Sequence, residues 1–204
     1  MALSTYTELQ ASVANWLHRT DLTAVIPDLI VLAEARIARD LRLRSQVVTT
    51  TLSTVANQRS VAFPADWLEF ENVTLVGDPD TTLTYVNIQY LDTRFPNNAA
   101  TGKPVVCSIE GQNLLLGPAP DAVYSISTLY YQRWPALAST PTNWLLTYHP
   151  SLYLFATLAE AAPFLQDDAR AALWEGKYAS DVARLQISDD AGQFSGSGLR
   201  VRAI

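Results

Sequence analysis

The hydrophobic period changes twice along this chain, and those two changes constrain the fold more than any single motif. Residues 4–44 carry apolar side chains at helical spacing: Leu9, Val13, Trp16 and Leu17, then Ile30, Ala33, Ile37 and Leu41. Thr5-Tyr6-Thr7-Glu8 has the form of a capping box, in which a hydroxyl and a carboxylate each satisfy a backbone N–H at a helix start. Residues 21–27 break the pattern, and Pro27 suits the first turn of a second helix, where its missing N–H costs nothing. From Gln46 the period is two. Val47-Val48-Thr49-Thr50-Thr51-Leu52 is β-branched, and Val55-Ala56-Asn57-Gln58 predicts a turn. Ser60-Val61-Ala62-Phe63 then reads as the second arm of a hairpin, ended by Pro64-Ala65-Asp66.

Further strands are predicted over about 71–76, at Leu83-Thr84-Tyr85, and near 104–109, 113–116 and 122–132. Gly77-Asp78-Pro79-Asp80, Glu110-Gly111 and Gly117-Pro118-Ala119-Pro120 punctuate them, and residues 87–95 read as a short helix or irregular turn. Helical spacing returns near Thr142, with Leu152, Leu154, Phe155 and Leu158 leading to Pro163, which closes or kinks the helix. Asp167-Asp168 opens a last helix carrying Leu173, Trp174, Tyr178, Val182 and Leu185.

Short strands with tight turns and no long helix between them predict an antiparallel sheet or small barrel. Neither helical pair can cover its own apolar face alone. The expected class is therefore α+β, with N- and C-terminal helices packed as one helical bundle around an inserted antiparallel β module. The expected divisions are helices over 1–45, β module over 46–133, helices over 134–187 and an extended C-terminal tail over 188–204. That tail begins with linker composition, Ser188-Asp189-Asp190-Ala191-Gly192, and ends in an alternating apolar and polar hexapeptide. Such a segment suits strand addition to a partner's sheet.

Several functions are excluded by what is scarce. One cysteine, Cys107, cannot close an intrachain disulfide, so the chain is no disulfide-built secreted scaffold. Two histidines, one methionine and one cysteine leave few ligands for a soft metal, and no metal or cofactor is expected. The net charge of −6 opposes nonspecific DNA binding, which needs a large positive excess. The first ten residues lack the basic start and apolar core of a signal peptide. Residues 134–159 lack Asp, Glu, Lys and Arg but hold Asn143, His149 and three prolines, Pro135, Pro141 and Pro150, which would leave carbonyls unsatisfied in lipid, so no membrane span is expected.

Candidate catalytic groups are equally thin. Gly102-Lys103 resembles the end of a phosphate loop, but Pro104 replaces the required hydroxyl residue. His18 and His149 lie in different segments without close flanking carboxylates. Asp66, Glu69 and Glu71 form the densest acidic cluster; a glycosidase pair among them needs a defined carboxylate separation, and a polar loop beside Trp67 and Phe70 is the favoured reading. No catalytic residue is assigned, and the chain is not expected to be an enzyme.

Arginine is more informative. Twelve of fourteen cations are arginine, and Arg36, Arg39, Arg42 and Arg44 fall within nine residues. Their forked guanidinium suits interfacial carboxylates, which makes these four candidate inter-subunit contacts, although Asp40 stands four residues from both Arg36 and Arg44. Residues 1–60 hold six cations and five anions, whereas residues 61–204 hold eight and fifteen. That asymmetry permits charge-complementary contacts between copies.

An ordered series of segments resembles the head–tail adaptor (connector) proteins of tailed bacteriophages. The series starts with Leu32-Ala33-Glu34-Ala35-Arg36-Ile37-Ala38-Arg39-Asp40-Leu41-Arg42 and continues through Phe63-Pro64-Ala65-Asp66-Trp67-Leu68-Glu69 and Gly111-Gln112-Asn113-Leu114-Leu115-Leu116-Gly117-Pro118-Ala119-Pro120. Leu129-Tyr130-Tyr131, Pro135-Ala136-Leu137 and Pro141-Thr142-Asn143-Trp144-Leu145-Leu146 follow. It ends with Leu152-Tyr153-Leu154-Phe155, Glu160-Ala161-Ala162-Pro163 and Asp167-Asp168-Ala169-Arg170. One departure is Ala122, where the turn after Pro120-Asp121 often has glycine.

The resemblance implies a virion structural protein at the head–tail interface, assembled in the host cytoplasm. It implies a dodecameric ring under the portal protein that continues the DNA channel and connects to tail or nozzle proteins. Genomic DNA would pass through the lumen without sequence-specific binding. The resemblance also implies that the C-terminal segment (Gly198, Leu199, Arg200, Val201, Arg202, Ala203 and Ile204) reaches the portal. A β-rich virion module binding a receptor or glycan through Trp67, Tyr85, Tyr90, Tyr130 and Tyr131 is the alternative.

Overall fold

The computed structural model describes residues 3–96, 100–165 and 168–193. Among these residues, six α-helices and two sheets make the chain α+β. It divides into two compact units, one formed by residues 46–133 and the other by the segments on either side.

The helical unit begins with α1 (Tyr6–Leu17), whose start is the capping box read from the sequence. The Glu8 amide donates to Thr5 Oγ1 at 3.3 Å and the Thr5 amide donates to a Glu8 carboxylate oxygen at 3.1 Å. Bonds from Ser4 and Thr5 hold the Glu8 carboxyl below its ordinary range. His18 ends the helix in the left-handed region (φ 52°), so this histidine is part of a C-terminal turn. The second helix, α2 (Ile26–Asp40), starts with Pro27 in its first turn and buries Ile26, Leu29, Ile30, Ala33 and Ile37 along one stripe.

After the β unit come α4 (Trp144–Tyr148), α5 (Pro150–Phe164) and α6 (Asp168–Gln193). α5 is the centre of this unit: it is apolar nearly all round and packs against α1, α2, α4 and α6. Pro163 sits in its last turn, where the helix closes one residue later. Trp16 of α1, Phe155 of α5 and Trp174 of α6 meet with centroids 5.5–6.2 Å apart, edge-on or stacked.

α6 corrects one expectation. It continues through residues 188–193, which read as linker, and reaches Gln193. The cause is a distant side chain: Arg44 Nε donates to Asp189 Oδ1 at 3.1 Å, and its backbone amide donates to Asp189 Oδ2 at 3.0 Å. The guanidinium then lies so close to Gly192 that a Cβ there would stand 2.1 Å from Arg44 Nη2. Glycine leaves room here for the guanidinium, which a larger residue would push aside.

The β unit holds β1 (Val47–Ser53), β2 (Ser60–Ala62), β3 (Trp67–Leu75), β4 (Thr81–Thr82) and β5 (Thr84–Tyr85). Helix α3 (Ile88–Arg94) follows, then β6 (Val106–Glu110), β7 (Asn113–Gly117) and β8 (Ser125–Gln132). The strands form two four-stranded sheets, ordered β1-β8-β3-β4 and β2-β7-β6-β5. All pairs are antiparallel except β5 with β6, and α3 makes the crossover that a parallel pair requires. A core of Val61, Val73, Leu75, Leu83, Cys107, Leu114, Leu116 and Ile126 fills this unit.

Two strand expectations change here. β1 and β2 are not a hairpin: the turn closes as an isolated bridge between Val55 and Gln58, but β1 pairs with β8 and β2 with β7. Buried Thr54 redirects the chain, donating from Oγ1 to the Ala122 carbonyl at 3.1 Å and accepting the Tyr124 amide at 2.8 Å. The Asn57 amide donates to the Pro120 carbonyl at 2.7 Å, so the turn is tied to the 120–124 segment. The second change is that β3 begins at Trp67, before the expected residue 71. Register shifts at Trp67/Glu69 and Phe70/Asn72 break the period of two that would have marked its first half.

Candidate functional site

The arginine group at the end of α2 is largely engaged within its own chain. Arg36 Nη1 lies 3.3 Å from Glu160 and its Nε 3.7 Å from Asp40, while Nη2 pairs with Glu175. The guanidinium carbon also stands 4.5 Å from the centroid of Tyr178. The Tyr178 hydroxyl donates to Asp40 Oδ2 at 2.8 Å, and burial pushes its pKa up. One side chain on α2 thereby joins a carboxylate on α5, another on α6, and a tyrosine ring. Arg42 Nη1 donates to the carbonyls of Ala38 and Leu41 at 2.6 and 2.7 Å, satisfying groups that a helix end leaves open. Arg44 holds Asp189 as described above, and Arg39 is exposed. Gly198–Ile204, expected from the resemblance to reach the portal, lie outside the described residues.

Nor do the acidic candidates converge on a catalytic pair. Asp66 accepts hydrogen bonds from the Tyr130 hydroxyl at 3.2 Å and from Gln132 Nε2, which fixes it as a structural acceptor. Glu69 and Glu71 are exposed and lie on β3, not in the polar loop expected. Of the aromatics weighed as a binding surface, Tyr130 is buried, Trp67 and Tyr131 are half-buried, and Tyr85 and Tyr90 are exposed. They do not form one exposed cluster, because Tyr130 serves the core and Trp67 packs on Phe63 and Phe70 with centroids 4.7 and 5.4 Å away.

Two concave features were not legible in the sequence. In the helical unit, a cleft of about 230 Å³ is lined by His149, Ser151, Asp181, Arg184 and Ser188. Sequence neighbours had offered His149 no carboxylate; the fold places Asp181 of α6 in the same cleft. In the β unit, a cavity of about 410 Å³ is lined by Trp67, Phe70, Tyr85, Cys107, Ile109 and Leu114, among others.

Burial pushes the Cys107 thiol up from 9.0 to about 11. At pH 8 that leaves about 100-fold less thiolate than an ordinary cysteine, so iodoacetamide should alkylate the folded protein about 100-fold more slowly than the denatured chain. Equal rates would overturn this assignment. The unfolded thiol ionises first, so the associated stability is fully present below pH 9.0 and is lost as pH rises toward about 11.

Among the described residues no cluster of three or more His, Cys, Asp or Glu side chains is placed to hold a metal ion. No helix among them is long and apolar enough to cross a membrane. Their polar chemistry goes into stitching elements of the same unit together. Comparison with individually curated proteins gave no match. The family model described as SU10 adaptor protein matches residues 4–202, spanning both the helical and the β segments. A match that runs through all these elements in order makes the chain a member of the SU10 adaptor protein family, a group of bacteriophage head–tail adaptors that are structural parts of the virion.

Proposed function

We propose that copies of this adaptor close into a dodecameric ring that docks beneath the portal, continues the DNA channel and carries the tail or nozzle proteins. Family membership over residues 4–202 is the observation that carries this reading. Ring closure requires a heterologous contact, in which one face of a copy meets a different face of the next. Arg39, on the exposed side of α2, is our candidate for that contact, while Arg36, Arg42 and Arg44 also serve the fold of the chain that bears them. The net charge of −6 suits a conduit, because a lumen that gripped phosphates would oppose DNA passage. Assembly takes place in the host cytoplasm, and no enzymatic step is involved.

On this reading residues 198–204 reach the portal. The truncation that tests it removes residues 194–204, since α6 extends to Gln193 and Gly192 packs under Arg44. The shortened protein is expected to keep its far-UV circular dichroism and melting temperature and to lose portal capture. Undiminished capture would overturn the tail assignment. Native mass spectrometry of the full-length protein should give twelve-fold rings alone or on addition of portal. A strict monomer at every concentration, with and without portal, would sink the ring.

A further inference from the structure

Two helix faces of the helical unit are exposed and laid out alike. On α2, Asp28, Leu32, Ala35 and Arg39 are exposed at spacings of four, three and four, with exposed Val31 beside them. On α6, Leu173, Gly176, Ser180, Ala183 and Ile187 are exposed at spacings of three, four, three and four. That alternation makes one stripe along a helix and is the pattern by which two helices share a seam. Val31, Leu32, Leu173 and Ile187 are each more than half exposed, so both stripes leave large apolar groups in water.

Gly176 has no use within its own copy. Glycine inside a helix weakens it relative to alanine. Gly192 of the same helix leaves room for Arg44, whereas a Cβ on Gly176 would meet nothing within 4 Å among the described residues. The space stands in the apolar stripe, between Leu173 and Ser180. It fits a bulky side chain brought from outside.

Within one copy α2 and α6 are already joined through other residues. Arg36 pairs with Glu175, Asp40 takes hydrogen bonds from Tyr178 and Gln186, and Arg44 holds Asp189. None of these belongs to either stripe, so the stripes are left for a second copy. A contact between α2 of one copy and α6 of the next is heterologous, as ring closure requires. Charge sets its direction. Asp28 and Arg39 stand about 17 Å apart along α2, and exposed Lys177 and Asp190 about 20 Å apart along α6, at about 1.5 Å per residue. Parallel helices bring opposite charges together at both ends. Antiparallel helices would set Arg39 opposite residues 171–175, where Glu175 is already taken by Arg36.

We propose that the Asp28–Arg39 stripe of one copy packs in parallel on the Leu173–Ile187 stripe of the next. Leu32 seats between Gly176 and Ala183, Asp28 meets Lys177, and Arg39 meets Asp190. The proposal rests on the ring put forward above and names the two faces that close it.

The test is cross-linking of the full-length protein, alone and with portal. Oxidised Leu32→Cys/Ser180→Cys should run on a denaturing gel as a ladder of covalent multiples, while each single variant stays monomeric. Gly176→Leu should raise the melting temperature of dilute, separated chains and weaken ring formation at least tenfold. Asp28→Lys should weaken it at least tenfold, and Lys177→Glu in the same chain should restore it. Cross-linked dimers from Leu32→Cys alone would pair α2 with itself and overturn the proposal. So would undiminished rings from Gly176→Leu, or a charge exchange that restores nothing. Native mass spectrometry separates the two failures: rings without the double-variant ladder refute this inference alone, and no rings in any condition refute the ring.

Discussion

Asn143→Ala should destabilise the helical unit by about 2–4 kcal/mol, because one buried amide serves three partners at once. Asn143 is 8% exposed and caps α4: its Oδ1 accepts the Leu146 amide at 2.9 Å. Its Nδ2 donates to the Tyr153 hydroxyl at 2.8 Å and to the Pro135 carbonyl at 3.2 Å. Tyr153 is 2% exposed at the centre of α5, so its hydroxyl is shut off from bulk water that could replace the lost donor. Alanine would leave an amide, a carbonyl and a hydroxyl without partners in the most apolar part of the unit. Thermal unfolding followed at 222 nm should show a drop of roughly 5–15 °C, taking about 2–4 °C per kcal/mol for a chain of this size. Asn143→Ser restores only the cap and should recover about 1 kcal/mol. A change below about 0.5 kcal/mol for the alanine variant would show that the network contributes nothing.

Arg36→Ala is expected to cost about 2–3 kcal/mol, a value already reduced for the partial exposure of its partners. The side chain of Arg36 is 19% exposed, and those of Glu160, Asp40 and Glu175 are 28%, 38% and 52% exposed. Removing the guanidinium leaves three carboxylates from three helices close together and strips a cation from the Tyr178 face. Two controls separate these contributions. Arg36→Lys should recover less than half of the loss, because a point charge cannot span two carboxylates on different helices as the planar fork does. Added salt should shrink the penalty of Arg36→Ala by screening the repulsion among the carboxylates. If lysine restored full stability, or if the penalty were unchanged in 1 M salt, the bridging role would be wrong.

The division between what sequence shows and what it hides follows distance along the chain. The Thr5–Glu8 capping box, Pro27 opening α2, and the turns that bound β6, β7 and β8 are contacts among residues a few positions apart. Their physics is complete in a short window. Arg36 illustrates the opposite case. Its crowding with Arg39, Arg42 and Arg44 was visible, but two of its partners lie 124 and 139 residues away. Only packing of α2 and α6 on α5 could choose them over a neighbouring copy.

The same reasoning accounts for the expectations that changed. A β-branched run, a turn and a second β-branched run read as a hairpin because hairpins are the shortest solution. Thr54 and Asn57 spend their hydrogen bonds on residues 120–124 instead, sending β2 to a different sheet. Bulges hid the first half of β3, and with it the strand that carries Glu69 and Glu71. Gly192 looked like linker because glycine usually weakens a helix, whereas here it makes room for Arg44.

By itself the sequence determined the class: helices, then a β unit, then helices, acidic and poor in reactive side chains, with a segment order that marks a phage adaptor. These features are additive over local windows, and composition, period and motif order record them directly. Only the tertiary structure decided which arginines are occupied, that α6 runs on to Gln193, how the strands divide between two sheets, and that Glu69 and Glu71 line one cavity with Trp67, Phe70 and Ile109. Each of those depends on a pairing between distant residues, and many pairings satisfy the same local pattern until the chain packs and buries one of them.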